Sequence, residues 1–219
     1  MRVLPILFNT EMVRANLDGR KTCTRRSVSS RQFLGMMPNK CKNAAPDEFF
    51  KGKRMMFKPY CDMTDAELIM TAYKAPYEPG DILYVRETWK KAPNGYYYYE
   101  SWKRNDIADV TKWKPSIRMP KEAARIWLKV TDVRVERLQD ITPKGAESEG
   151  VGNLFYDDIG YGEKNYGTEV DTEYGIAKEQ FAWLWESTIK KSDLDSYGWE
   201  ANPWVWVIEF ERCEKSQGR

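Results

Sequence analysis

Apolar positions in this chain fall into short runs divided by turn-forming residues, and the period of each run assigns it an element. Val3 to Phe8 predicts a strand. A helix follows, with Asn9 or Thr10 as cap, Val13 and Leu17 one turn apart, and Gly19 as its stop. With Asn9 as cap, Phe8 and Val13 make a hydrophobic staple. Pro79-Gly80-Asp81 reads as a turn leading into a strand from Ile82 to Trp89. In that strand Ile82, Tyr84, Arg86 and Thr88 share one face, and Leu83, Val85, Glu87 and Trp89 the other. Ile126 to Leu138 is the clearest strand. Leu128 and Val130 have one parity and Val133 and Val135 the other, which predicts a bulge near Thr131-Asp132. Thr142 then caps a compact helix with Pro143 at its first position and Gly150 past its end. Ile176 to Ile189 predicts an amphipathic helix with Ala177, Phe181, Leu184 and Thr188 in register. Trp204 to Phe210 is apolar on both faces until Glu209, as in a central strand, and 214–219 read as a frayed tail.

The stretches between these runs have poor periods. Ser27 to Glu78 carries Pro38, Pro46, Pro59 and Pro76, with a short helix expected over Asp65 to Tyr73. Residues 90–125 look irregular apart from a helical turn at Ala123-Ala124, and Asn153 to Gly175 reads as a long surface loop. The order strand, helix, strand, strand, helix, helix, strand contains no repeated βαβ unit and no GxGxxG, which disfavours a Rossmann sheet. It favours an α+β fold in which a small closed or half-closed barrel hides the strand edges. We expect a single domain over 1–219, with core blocks 1–26, 79–89, 126–151 and 176–210 and insertions 27–78, 90–125 and 152–175.

Composition narrows the chemistry. None of the 219 residues is histidine, so a Ser-His-Asp triad, His-ligated zinc, a histidine base and proximal-histidine haem are all excluded. Acid–base work must fall to Lys, Glu, Asp, Tyr or Cys. Cys23, Cys41, Cys61 and Cys213 form no CxxC pair and read as reduced intracellular thiols. No apolar stretch approaches the ~20 residues of a membrane span, so a cytoplasmic protein is expected. With no histidine and no acidic cluster at ligand spacing, neither a metal nor another cofactor is implied. Residues 1–60 hold 13 Lys/Arg against 4 Asp/Glu, and the remainder 22 against 29. That asymmetry suits a polyanion on one face, or basic residues packed against an acidic body.

Two places can carry chemistry. Lys21, Thr22, Thr24, Arg25 and Arg26 directly follow a helix stop. In a plain strand Lys21 and Thr24 point to opposite faces, whereas in a turn or one helical coil they meet. A lysine whose pKa is lowered by burial can take the threonine proton and make a nucleophile. Alternatively the same residues hold phosphate oxygens, or form a solvated turn. Glu149 ends its helix, where the dipole disfavours a carboxylate and suits it to acid–base work near neutrality. Otherwise it is a solvated helix residue.

The string Gly19-Arg20-Lys21-Thr22-Cys23-Thr24-Arg25-Arg26, then Pro79-Gly80-Asp81-Ile82-Leu83, Val130-Thr131, the Thr142 to Gly150 helix and Val207-Ile208-Glu209-Phe210 resemble the ASCH family of the PUA-like superfamily. The likeness is to its longer phage and prophage members and covers about half of the chain. It implies a small β-barrel with a cleft beside the basic motif, associated with RNA or modified nucleosides. In members that act as N(4)-acetylcytidine amidohydrolases, the matching residues imply Thr24 as nucleophile, Lys21 as activator and Glu149 as acid–base partner of the leaving amine. Arg26 would orient substrate, with Arg25, Thr22, Arg86 and Trp89 beside it. Arg25 departs from the family's apolar residue and makes the motif more cationic. The expected partner is a nucleoside or single-stranded RNA; a non-catalytic RNA-binding module and a ribonuclease are the alternatives, and oligomeric state is left open. Trp89, Trp102, Trp113, Trp199 and the Tyr96 to Tyr99 run lie in or beside the insertions and are candidates for base stacking, whereas Phe181, Trp185, Trp204 and Trp206 are expected in the core.

Overall fold

Strand-forming runs that are apolar on both faces need a cover on each side, and the chain supplies it with helices. The computed structural model describes residues 1–28, 46–51, 54–59, 73–103, 112–151 and 173–215. Its strands are β1 (Val3–Leu7), β2 (Cys23–Ser27), β3 (Pro46–Lys51), β4 (Arg54–Pro59), β5 (Tyr73–Lys74), β6 (Ile82–Arg86), β7 (Trp89–Ala92), β8 (Gly95–Tyr98), β9 (Trp127–Arg137) and β10 (Trp204–Cys213). Its α-helices are α1 (Thr10–Leu17), α2 (Tyr99–Lys103), α3 (Pro143–Ser148), α4 (Glu173–Thr188) and α5 (Leu194–Tyr197). The fold is α+β. Five strands form one mixed sheet in the order β1-β6-β9-β10-β2, in which β1 and β6 are parallel and the other pairs antiparallel.

The expected bulge is present. Glu209 pairs with Asp132 and Phe210 with Val130, which leaves Thr131 as the extra residue on β9. Because of it Leu128, Val130, Val133 and Val135 all enter one core with Phe8, Val13, Trp206 and Ile208, despite their change of parity. On the other face of β10, Val205 and Val207 pack with Phe181, Leu184 and Trp185 of α4. That helix begins three residues before the expected Ile176, and Thr188 is exposed, its expected place on the apolar stripe taken by Trp185.

Three expectations need correction. The strand expected over Ile82 to Trp89 ends at Arg86, where the Phe8 N–H takes the Arg86 carbonyl at 3.3 Å and Glu87 turns aside to a bidentate pair with Arg125, both bonds 2.8 Å. Residues 90–125 are not irregular throughout, since β7 and β8 make a hairpin and α2 follows. Within 27–78, β3 and β4 pair from Pro46↔Pro59 to Lys51↔Arg54, so these two prolines close the ends of a hairpin rather than interrupt it. The helix expected at Asp65 to Tyr73 lies outside the described residues except for Tyr73, which is in β5; the loop expected at Asn153 to Gly175 is described only from Glu173, where α4 begins, and the tail only through 215.

Candidate active site

The basic motif is held by the ends of two short helices. Asn9 caps α1 by accepting from the Met12 N–H at 2.8 Å, and Gly19 leaves the helix at a φ of 76°. The Arg20 and Lys21 N–H groups both return to the Ala15 carbonyl, and the Thr22 N–H reaches Ser148 O at 2.8 Å. Thr142 caps α3 by accepting from the Gly145 N–H, with Pro143 at its first position. Gly150 follows with a φ of 87°, and a Cβ there would lie 2.6 Å from Ala15 Cβ and 3.2 Å from Lys21 Cβ. Only a glycine lets the chain pass so close to Lys21.

Of the alternatives open for the motif, neither the turn nor the helical coil forms over residues 23–27. Cys23–Ser27 is a strand, with Thr24 opposite Ile208 and Arg25 opposite Val207. Thr24 and Arg26 therefore face the core of Phe8 and Ile208, while Cys23 and Arg25 face α3 and α4. Lys21 sits before the strand and is free of its alternation. Its ammonium donates to Glu149 Oε2 at 2.6 Å and to the Glu149 carbonyl at 2.8 Å. The Lys21 and Glu149 side chains are 0% and 3% exposed, although 128 residues of chain separate them.

Glu149 is tolerated at the negative end of α3 because two cations meet it. Arg25 Nη1 approaches its Oε1 at 3.4 Å, and Arg25 Nη2 donates to Glu136 Oε2 at 3.2 Å. Arg134 continues the chain of charges, donating to Glu136 Oε1 at 2.6 Å and to Glu209 Oε1 at 2.5 Å. Alternating charge thus runs from a dry pair to the exposed side of β9.

Lys21 Nζ and the Arg26 guanidinium lie 5.4 and 5.8 Å from the Phe8 ring centroid. Thr24 lies between them along the chain, 1% exposed, and its hydroxyl has no hydrogen-bond partner among the described residues. Burial lowers the Arg26 pKa, against the pull of Glu149 and Tyr77, while the guanidinium donates to the Leu7 carbonyl at 2.8 Å. Burial likewise raises the Tyr77 phenol, which donates to Pro5 O at 2.9 Å. A cleft of about 360 Å³ lies on the other side of β2, lined by Thr22, Cys23, Arg25, Arg134, Lys144 and Ser148 among others. Burial and the Glu149 charge push the Cys23 thiol up to about 12, so it is no nucleophile.

The structure brings Lys21, Arg25 and Glu149 into contact and sets Thr24 and Arg26 on the face of β2 opposite Arg25. Thr22 is exposed at the cleft. Arg86 stands apart, donating to the Tyr84 hydroxyl and the Ile117 carbonyl. Trp89 is 5% exposed, with Tyr96 against it and Lys114 Nζ 5.0 Å over its ring, so it packs in the core. Trp199 is also buried, as are Phe181, Trp185, Trp204 and Trp206. Glu136 and Arg134 escaped the sequence reading because outward positions of a strand carry no signal of which charges will meet. Phe8 was legible only as a helix staple.

No family model, no curated protein and no solved structure matches this chain. Among the described residues no group of three or more His, Cys, Asp or Glu could hold a metal, and no helix is long and apolar enough to cross a membrane.

Proposed function

We propose that this protein is an ASCH-type, PUA-like domain that hydrolyses the amide of an N(4)-acylated cytidine, with Thr24 as nucleophile, Lys21 as activator and Glu149 as acid–base partner. One observation carries this reading: the buried 2.6 Å contact between Lys21 and Glu149, which joins the two distant blocks of the resemblance; the Thr24 hydroxyl, three residues on from Lys21, is buried with no hydrogen-bond partner among the described residues. The half-closed barrel is supported by the Arg26 to Leu7 bond, which draws together the β2 and β1 ends of the five-stranded sheet.

The chemistry balances without histidine. Shifting one proton along the Lys21–Glu149 hydrogen bond turns the ion pair into an amine and a carboxylic acid with no change of total charge. Thr24 Oγ1 adds to the acyl carbon, and the Lys21 amine takes its proton. The C–N bond then breaks and the Glu149 acid protonates the departing N(4) amine. That transfer leaves Lys21 and Glu149 as the ion pair again; water then hydrolyses the threonine ester, giving one proton back to Thr24 Oγ1 and leaving the carboxylate and its second proton to solvent. Arg25, as a second cation on Glu149, keeps the carboxylate aligned through the cycle.

The test is release of acetate from N(4)-acetylcytidine by the purified protein, lost in Thr24→Ala and in Lys21→Ala. Inactivity of the wild-type protein across several acylated cytidines would overturn it. A non-catalytic RNA-binding role is favoured by a different observation, the 1–3% exposure of Thr24, Lys21 and Glu149, which leaves a substrate little direct access. RNA binding by a protein that hydrolyses none of these substrates would select that role.

A further inference from the structure

We propose that the cleft between α3 and the sheet binds a single ribonucleoside, with the ribose hydroxyls on Glu209 and an acceptor atom of the base on Arg25. This rests on the reading of the protein as one that acts on nucleosides, and it adds a site across β2 from Thr24. The cleft measures about 360 Å³. Ligand pockets run from roughly 300 to 1,000 Å³, so one nucleoside is the size of occupant it suits.

The register of the sheet fixes what faces the cleft. Cys23 and Arg25 point toward α3 from β2, and Glu209, opposite Cys23 in the ladder, lines the same cleft. The bond from the Thr22 N–H to Ser148 O brings the last turn of α3 to that end. Farther along, Arg25 passes so close beneath α3 that a Cβ on Gly145 would lie 3.3 Å from its Nη2.

Charge decides the class of ligand. Arg25, Arg134 and Lys144 border the cleft. Glu136 joins the two arginines, Asp132 and Glu209 also accept from Arg134, and Glu149 accepts from Lys21 as well as Arg25. These four cations and four carboxylates leave the neighbourhood close to neutral, so a phosphate gains little there and meets Glu209. Hydrogen bonding is what the walls supply. Thr22, Thr142 and Ser148 bring hydroxyls. Arg25 Nε is buried with no hydrogen-bond partner among the described residues, a donor that lacks an acceptor. The Glu209 side chain is 45% exposed, which leaves its carboxylate open to solvent beside the arginine. A neutral molecule with hydroxyls at one end and a carbonyl at the other answers both groups. A ribonucleoside has that pattern, and a carboxylate on the ribose 2′-hydroxyl is a recurrent way of holding one.

The experiment measures binding of labelled cytidine to the full chain by equilibrium dialysis. We expect saturable binding with a Kd below about 1 mM, unchanged between roughly 50 and 200 mM salt. 2′-Deoxycytidine should bind about 10- to 150-fold more weakly, the loss of one hydrogen bond to a charged group. In Glu209→Ala cytidine should weaken by a similar factor, and the difference between the two nucleosides should vanish. Circular dichroism confirms that the variant is folded, and the comparison of the two nucleosides on the wild-type protein stands without it. Cytidine carries no acyl group, so binding is read apart from hydrolysis. Glu209-dependent binding without acetate release would keep the cleft and remove the Thr24 chemistry; acetate release without such binding would do the reverse. Four results would each overturn the site: no saturable binding at about 1 mM cytidine, cytidine monophosphate binding more tightly than cytidine, free ribose binding as tightly, or a 2′-hydroxyl preference that is absent or persists in folded Glu209→Ala.

Discussion

At Thr24 stability and chemistry pull apart. A hydroxyl buried without a partner keeps its desolvation cost, so Thr24→Val, which preserves the shape, should stabilise the protein by about 1 kcal/mol in urea unfolding. The same change should abolish acetate release. A clear loss of stability in Thr24→Val would mean that the hydroxyl is bonded in solution. Lys21 behaves in the opposite way. Lys21→Met leaves the Glu149 carboxylate buried against Arg25 alone and should cost about 3–5 kcal/mol. Combining it with Glu149→Gln should cost less than the sum of the single changes, since the two residues share one interaction. Denaturant unfolding of the four proteins in that cycle checks this.

At the level of elements, the site depends on where α3 stops. Gly150→Ala forces a side chain into a left-handed backbone and against Ala15 and Lys21. We expect about 2–4 kcal/mol of destabilisation and a displaced Lys21. Thr142→Ala removes only the cap at the opposite end of α3 and should cost about 1 kcal/mol. If hydrolysis falls further in Gly150→Ala than in Thr142→Ala after both are shown folded, the close passage at Gly150 positions the lysine. Equal activity in the two would show that it does not. The bulge at Thr131 belongs to this scale as well, because one extra residue lets two parities of valine enter the same core.

Across the whole molecule, the start of the first strand, besides its ladder with β6, is tied down by a charged turn. Asp81 accepts from the Arg2 backbone N–H and guanidinium and from the Glu78 N–H, and the Ile82 N–H takes the Arg2 carbonyl. Burial works against the charged carboxylate, but the Arg2 side chain, the two backbone N–H groups and the Arg2 charge outweigh it and hold the Asp81 pKa below its usual value. The unfolded chain therefore takes up this proton first on acidification. The stabilisation is complete above the ordinary aspartate value of about 3.9 and is lost as pH falls through the lower native one. Asp81→Asn should destabilise the protein at neutral pH and flatten its acid limb, measured by urea unfolding between about pH 5 and pH 2. An acid limb of unchanged slope would remove Asp81 as its source. What the amino-acid order determined by itself was local: the cap at Thr142 and the start of α1 at Asn9 or Thr10, the glycine stops at Gly19 and Gly150, a bulge near Thr131-Asp132 and the twice-buried start of β10, because each depends on neighbours in sequence or on strand parity. It also placed Lys21 and Glu149 among the candidates. Only the tertiary structure decided that Lys21 escapes the strand's alternation to reach Glu149, that Arg25 turns inward to Glu136, and that Trp89 is core while Tyr97 and Trp102 are not. Those outcomes are set by pairings between residues far apart in the chain, and no local period encodes which distant charge or ring will arrive.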